Sequence, residues 1–166
     1  MPQHTIEPKQ IYIDSFNIKG ITVRTKNSDE SNPDSAKLGK HWYKYFSEKW
    51  DEKILERTNN EALVYGVYAN YASDVNDYYN LTAGVLVPEF SPLSPQEAEQ
   101  KIELITIQPG NYLVFENRGQ LPQSIIECWQ AIWAYFEKNP QIQRKYSTDF
   151  EAYFKDDQVA VYIGLK

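Results

Sequence analysis

The feature that most constrains the fold of this chain is an order of short apolar segments that occurs twice. The first half opens with strand-like residues 11–16 and bends near Gly20, and the second half opens at residues 102–107 and bends near Gly110. In both halves an amphipathic helix and two further apolar strands follow. Repetition on this scale predicts two copies of one supersecondary unit.

An amphipathic helix is predicted in each half by apolar side chains that recur every three or four residues. The first helix is expected over residues 35–56, and the second begins near Pro122, which suits the first turn of a helix. Their apolar faces comprise Leu38, Trp42, Tyr45, Phe46, Trp50 and Ile54, and Ile125, Trp129, Ile132, Trp133 and Phe136. Because each apolar face must be covered, both helices need a sheet on which to pack.

These patterns predict an α+β fold built from a duplicated strand-helix-strand-strand unit. The two copies are expected at residues 5–88 and 100–166, and a capping-box motif beginning at Ser94 predicts a helical turn between them. About eight strands would form one curved antiparallel sheet with two helices on one face. The length suits a single domain, residues 1–166, with a ligand groove between the halves.

Composition narrows the classes of function. The net charge is −6, and the basic residues are scattered rather than gathered in a stripe, so direct binding of nucleic acid is not expected. Neither a membrane span nor a signal peptide is predicted, and we therefore expect a cytoplasmic protein that does not act at a membrane. With two histidines and one cysteine, the chain predicts no metal site, and without a phosphate loop or dinucleotide fingerprint it predicts no cofactor.

The candidate site centres on Glu151, within the aromatic segment 149–153. Side chains alternate along a strand, so Glu151 and Tyr153 share one face. On an inner face this carboxylate would be poorly hydrated and would gain from a cationic partner, which aromatic rings also attract. The chain contains thirteen Tyr and four Trp that could line such a pocket. The alternative is an ordinary strand residue that faces solvent.

The order of these motifs resembles the gyrase-inhibitor-like small-molecule-binding family, which also provides the effector domain of many AraC-type and MerR-type transcription regulators. The likeness covers nearly the whole chain, is strongest over residues 110–165, and includes residues 65–68 in the first half. It implies a pocket between the two halves that favours hydrophobic cations. It also implies an acidic residue on the penultimate strand, a position that matches Glu151.

The expected ligand-binding residues are Glu151, Tyr153, Tyr162, Tyr68, Trp42 and Trp133. Tyr162 is included because it lies on the strand after Glu151, and Tyr68 because the pseudo-symmetry places it opposite the acid. Packing in the core is the alternative role for Tyr68 and for both tryptophans.

Three functions follow from this reasoning. The first is a module that binds hydrophobic cations for sensing or sequestration, without enzymatic activity. The second is a hydrolase of reactive small molecules, in which Glu151 acts as a general base with Tyr153 or Tyr162. The third is an inhibitor that binds another protein. Because the first strand is predicted within about ten residues of Met1, we expect a free-standing module; a homodimer or a separate regulator as partner is left open.

Overall fold

The computed structural model describes residues 6–54, 57–58, 62–73 and 76–166. Within these residues, eight strands form one sheet that five helices accompany. The strands are β1 (Lys9–Ile13), β2 (Phe16–Thr25), β3 (Ala62–Ala69), β4 (Tyr79–Val87), β5 (Glu103–Ile107), β6 (Gly110–Arg118), β7 (Thr148–Phe154) and β8 (Gln158–Gly164). The helices are α1 (Asn27–Glu30), α2 (Leu38–Ser47), α3 (Trp50–Lys53), α4 (Pro95–Glu99) and α5 (Gln123–Lys138). None of these helices has the length and apolar character needed to cross a membrane.

The sheet has the strand order β1-β6-β8-β7-β3-β4-β2-β5, and every neighbouring pair is antiparallel. Exchanging each strand for its counterpart in the other half gives the same order in reverse. The two halves therefore meet at β3 and β7, which lie side by side at the centre of a curled half-barrel. This arrangement confirms the predicted α+β fold and its duplicated unit.

The first strand of each half is interrupted rather than merely bent. In the second half the interruption precedes Gly110, as predicted, and this glycine adopts a φ of 149° that favours glycine. In the first half the interruption lies between Ile13 and Phe16, whereas β2 runs without a break through Gly20. A Cβ atom at Gly20 would lie 2.0 Å from the carbonyl oxygen of Ala83. Gly20 is therefore needed for the close approach of β2 and β4, and the predicted bend at this residue is wrong.

The first predicted helix is divided into α2 and α3. Lys49, between them, has left-handed backbone angles of φ 53° and ψ 50°, which end the first segment and redirect the chain. This turn lets Trp50 and Ile54 bury their side chains against the sheet. The predicted end of the helix at residue 56 lies outside the described residues. The second predicted helix corresponds to α5.

The helices α2 and α5 pack on the same face of the sheet. Under α2 and α3 the core contains Tyr45, Trp50, Ile21, Val64 and Val85. Under α5 it contains Phe115, Cys128, Ile132, Val161 and Ile163. Tyr153 on β7 packs against both clusters, so the central strands fill the space between the two helices. The side chains that project from β3 and β7 on this face are therefore enclosed by both helices.

The connection between the halves is fixed by a buried ion pair. Lys19 Nζ lies 2.9 Å from Glu97 Oε1, and the side chains are 1% and 2% exposed. Glu97 also completes the predicted capping box, because its carboxylate accepts the backbone N–H of Ser94 and the Ser94 hydroxyl accepts that of Glu97. The helical turn predicted in this connection is thus confirmed as α4, and it is anchored to the centre of β2.

Candidate functional site

The strand β7 carries a carboxylate enclosed by three neutral hydrogen-bond donors. Glu151 is only 3% exposed. Its Oε2 atom accepts hydrogen bonds from Tyr68 Oη at 2.9 Å and from Trp129 Nε1 at 2.7 Å. Its Oε1 atom accepts a hydrogen bond from Tyr153 Oη at 2.6 Å. These residues come from β3, α5 and β7, so the carboxylate joins both halves of the fold.

Strand alternation and one glycine explain how this carboxylate fits beneath the helices. Glu151 points toward the helical layer, and its antiparallel partner on β3 is Gly66. A Cβ atom at Gly66 would lie 2.8 Å from Trp42 Cζ2 and 3.1 Å from Glu151 Oε1. The missing side chain therefore leaves room for the indole of Trp42 beside the carboxylate. Trp42 also meets Tyr153, with ring centroids 5.5 Å apart.

Electrostatics distinguish Glu151 from most buried acids. Burial raises the pKa of its carboxyl group above the ordinary value, and the hydrogen bonds from Tyr153, Trp129 and Tyr68 only partly oppose this effect. Within the described part of the chain, no Lys or Arg forms an ion pair with it. Burial and the adjacent carboxylate raise the pKa of the Tyr68 and Tyr153 hydroxyls, so both remain protonated donors. The site therefore contains a buried carboxyl group that has no positive partner among the residues that the structure describes.

A cleft of about 470 Å³ lies directly over this cluster. One wall is formed by Ile125, Ile126, Trp129 and Trp133 of α5, and Leu38 of α2 lines the cleft as well. Tyr68, Tyr71 and Tyr79 also line it. Tyr68 and Trp129 belong both to the cleft and to the Glu151 cluster, so their rings separate the carboxylate from the open space. The cleft thus has an aromatic surface with the carboxyl group of Glu151 behind it.

Two charged side chains also line the cleft. Glu30 accepts hydrogen bonds from the backbone N–H groups of Lys37 and Leu38, which secures the start of α2. Arg144 pairs with the buried Asp149, with Nη2 and Oδ2 separated by 2.8 Å. Asp149 lies two residues before Glu151 on the same strand face. Among the described residues, Asp149 therefore has a cationic partner, whereas its neighbour Glu151 has none.

Most of the residues predicted from the sequence meet around Glu151. Tyr68 and Tyr153 bond to it, and Trp42 packs beside it. Trp133 lines the cleft and is 51% exposed; it pairs with the ring of Trp129, at 6.3 Å between centroids, and forms no hydrogen bond with Glu151.

Tyr162 is separated from this group because it lies on the opposite face of the sheet. Its register partner on β7 is Phe150, so the two side chains share a face, and their rings stack at 4.4 Å between centroids. Both line a shallower groove of about 380 Å³ on that face. The strands that carry Glu151 and Tyr162 are neighbours, as expected. The register between β7 and β8 places Tyr162 opposite Phe150, however, so its side chain points away from Glu151.

Sequence reasoning missed Trp129, which bonds to Glu151, and also Tyr71, Tyr79 and Arg144, which line the cleft. Trp129 was predicted only as part of the apolar face of the second helix, where its indole ring suits core packing. A buried indole N–H requires an acceptor, which was the available signal. That acceptor is Glu151 on β7, and the spacing of residues along α5 does not reveal which residue of another strand the indole N–H will meet.

Comparisons with known proteins agree with this architecture. The family model described as Cass2, integron-associated effector binding protein, matches residues 11–165. An integron cassette protein from the mobile metagenome of Vibrio cholerae, VCH_CASS2, is similar with 31% identity, covering 96% of this chain and 95% of that chain at a TM-score of 0.78. No curated protein sequence matches the chain.

Two more distant structures share the fold. SAV2435, solved bound to tetraphenylphosphonium, has 17% identity and a TM-score of 0.72, with 97% of this chain and 94% of that chain covered. A putative bacterial transcription regulation protein from Staphylococcus aureus MU50 has 15% identity and a TM-score of 0.69, with 97% and 99% covered. The family match spans nearly the whole chain, and this chain belongs to the Cass2 family of integron-associated effector binding proteins.

Proposed function

We propose that the protein binds hydrophobic cations in the aromatic cleft and that Glu151 supplies the opposing charge. The observation that carries this proposal is a buried carboxylate that has three neutral donors but no cationic partner within the described residues. A charge in this environment gains more from an adjacent cation than a solvated one does. The cleft directly above it offers the space.

The rings between the cleft and the carboxylate provide the contact surface. Tyr68 and Trp129 each donate a hydrogen bond to Glu151 while their side chains line the cleft. A cation over such a ring is attracted to its π-face. The cation is also attracted by the carboxylate of Glu151, which lies at the polar edge of both rings and accepts their hydrogen bonds. A ligand therefore reaches the charge of Glu151 without contacting its oxygens.

The relatives support both the ligand class and a role in sensing. SAV2435, which shares the fold, is bound to the lipophilic cation tetraphenylphosphonium. The family is described as effector binding, and another structure with this fold is a putative transcription regulation protein. We infer that this protein senses or sequesters such cations in the cytoplasm, with a separate regulator or a second copy of the chain as its partner. Tyr153, Trp42 and Trp133 complete the proposed ligand-binding set.

Catalysis by Glu151 is less well supported than binding. A general base must direct a free lone pair toward a water molecule near the substrate. The oxygens of Glu151 instead accept three hydrogen bonds from side chains that also cover them. These hydrogen bonds suit Glu151 to attract a bound cation better than to accept a proton from water.

The test is isothermal titration with tetraphenylphosphonium and with the neutral aryl compound triphenylphosphine oxide. At an effective dielectric constant of about 20 and a separation of roughly 8 Å across the ring layer, the attraction is about 2 kcal/mol. Glu151→Gln should therefore weaken binding of the cation by about 30-fold and leave the neutral compound nearly unaffected. Glu127→Gln, which removes an exposed charge from α5, is the matched control. Equal affinity of both Gln variants for the cation would contradict the proposal.

A further inference from the structure

Arg144 lines the cleft and carries a buried hydrogen-bond donor without a partner among the described residues. The residue is 9% exposed and lines the same 470 Å³ space as the aromatic residues. Its Nη2 atom donates to Asp149, but its buried Nε–H has no hydrogen-bond partner among the described residues. Buried N–H groups without a partner are rare in folded proteins, and each one calls for an explanation.

The pairing with Asp149 explains why this donor is left over. Oδ1 of Asp149 accepts the backbone N–H of Gly164, and Oδ2 accepts the Tyr71 hydroxyl together with Arg144 Nη2. The carboxylate is thus shared among three donors and engages the guanidinium through a single nitrogen. The ring of Tyr146 lies 4.5 Å from the guanidinium carbon and holds the group in place. Arg144 is therefore fixed and charged, with donor capacity that Asp149 does not use.

We propose that Arg144 forms a subsite for an anionic oxygen and that the cleft selects zwitterionic amphiphiles, with an aromatic cationic body and a carboxylate. This inference rests on the proposed function, because it assigns the ligand class of the same cleft. Arg144 and Glu30 give the cleft lining one positive and one negative side chain. The ligand's carboxylate is directed to the guanidinium, whose planar donors match it, and its cationic body is directed to the rings over Glu151.

Two dyes that share one cationic ring system test this inference directly. Rhodamine 6G carries an ethyl ester, and its free acid, rhodamine 19, carries a carboxylate at the same position. Affinities are measured by fluorescence anisotropy at pH 7.5 for both dyes. We expect wild-type protein to bind the free acid about 10-fold more tightly than the ester, since only the acid can accept a charge-assisted hydrogen bond from the guanidinium.

Arg144→Lys keeps the positive charge but removes the planar donor group, and the acid-to-ester ratio should fall to about one. Lys145→Gln removes an exposed charge from the next residue and should leave the ratio as it is in the wild type. Because the preference is first read on the wild type, a wild-type ratio near one decides against the subsite without any variant.

A wild-type ratio near one, or a ratio that persists in Arg144→Lys, would overturn the subsite while leaving cation binding intact. If neither dye binds, the proposed function fails and the subsite fails with it. A preference for the acid that disappears in Arg144→Lys but not in Lys145→Gln establishes the assignment.

Discussion

The two buried acids on β7 should respond in opposite directions when their charge is removed. Glu151→Gln and Asp149→Asn are nearly isosteric changes on the same strand face, and both side chains are buried. In Glu151→Gln the amide oxygen can replace Oε2 as acceptor for Trp129 and Tyr68. The amide nitrogen can donate to the Tyr153 hydroxyl, which rotates to accept. Asp149→Asn offers no equivalent solution, since it leaves the guanidinium of Arg144 without a counter-charge.

The expected magnitudes follow from this difference. Desolvation of an ion costs several kcal/mol, and hydrogen bonds to a charged group return about 1.5–3 kcal/mol each. The raised pKa of Glu151 means that desolvation prevails, so we expect Glu151→Gln to stabilise the fold near pH 8. Removing one partner of a buried ion pair costs about 3–5 kcal/mol, which is the destabilisation expected for Asp149→Asn.

The sign of the pH dependence is also determined. A carboxyl group with a raised pKa in the folded state contributes its stability below the ordinary glutamate pKa of about 4.3, and loses it as the pH rises through the folded value. Glutamine does not titrate. The advantage of Glu151→Gln over the wild type should therefore be larger at pH 8 than at pH 5.

Thermal unfolding of the wild type and both variants at these two pH values checks the reasoning. At about 2–4 °C per kcal/mol, Asp149→Asn should lower Tm by about 6–20 °C, whereas Glu151→Gln should raise Tm at pH 8. Near-UV circular dichroism verifies that the aromatic packing is retained. Equal destabilisation by both substitutions, or an effect of Glu151→Gln that does not change with pH, would refute the idea of a destabilised charge kept for binding.

Two further substitutions test other parts of the structure. Lys19→Met leaves Glu97 buried without its cation and should destabilise the protein by about 3–5 kcal/mol in urea unfolding; an unchanged midpoint would mean that the ion pair is not required. Trp133→Ala removes a half-exposed ring from the cleft and should weaken tetraphenylphosphonium binding by about 2- to 5-fold in titration calorimetry, as expected for one exposed cation–π contact. A loss of affinity comparable to that of Glu151→Gln would assign Trp133 a larger role than its position indicates.

Strand alternation and helical periodicity predicted much of this molecule because both are local properties. The repeated order of elements predicted the duplicated sheet, and alternation along β7 predicted that Glu151 and Tyr153 share a face. Local patterns failed where a long-range contact decides the outcome. Gly20 was interpreted as a bend, whereas the close approach of β4 requires it. The break at Lys49 likewise depends on the sheet that receives Trp50.

The sequence by itself determined the fold class, the duplication and the acid at the centre of the candidate site. Only the tertiary structure decided which rings surround that acid, because the register of β7 with β8 turns Tyr162 away while the packing of α5 brings Trp129 within hydrogen-bond distance. It also decided that, within the described part of the chain, Asp149 has a cationic partner and Glu151 has none. Two carboxylates two residues apart look equivalent in the sequence. Their difference arises from a single arginine, Arg144, whose position depends on the loop that precedes β7.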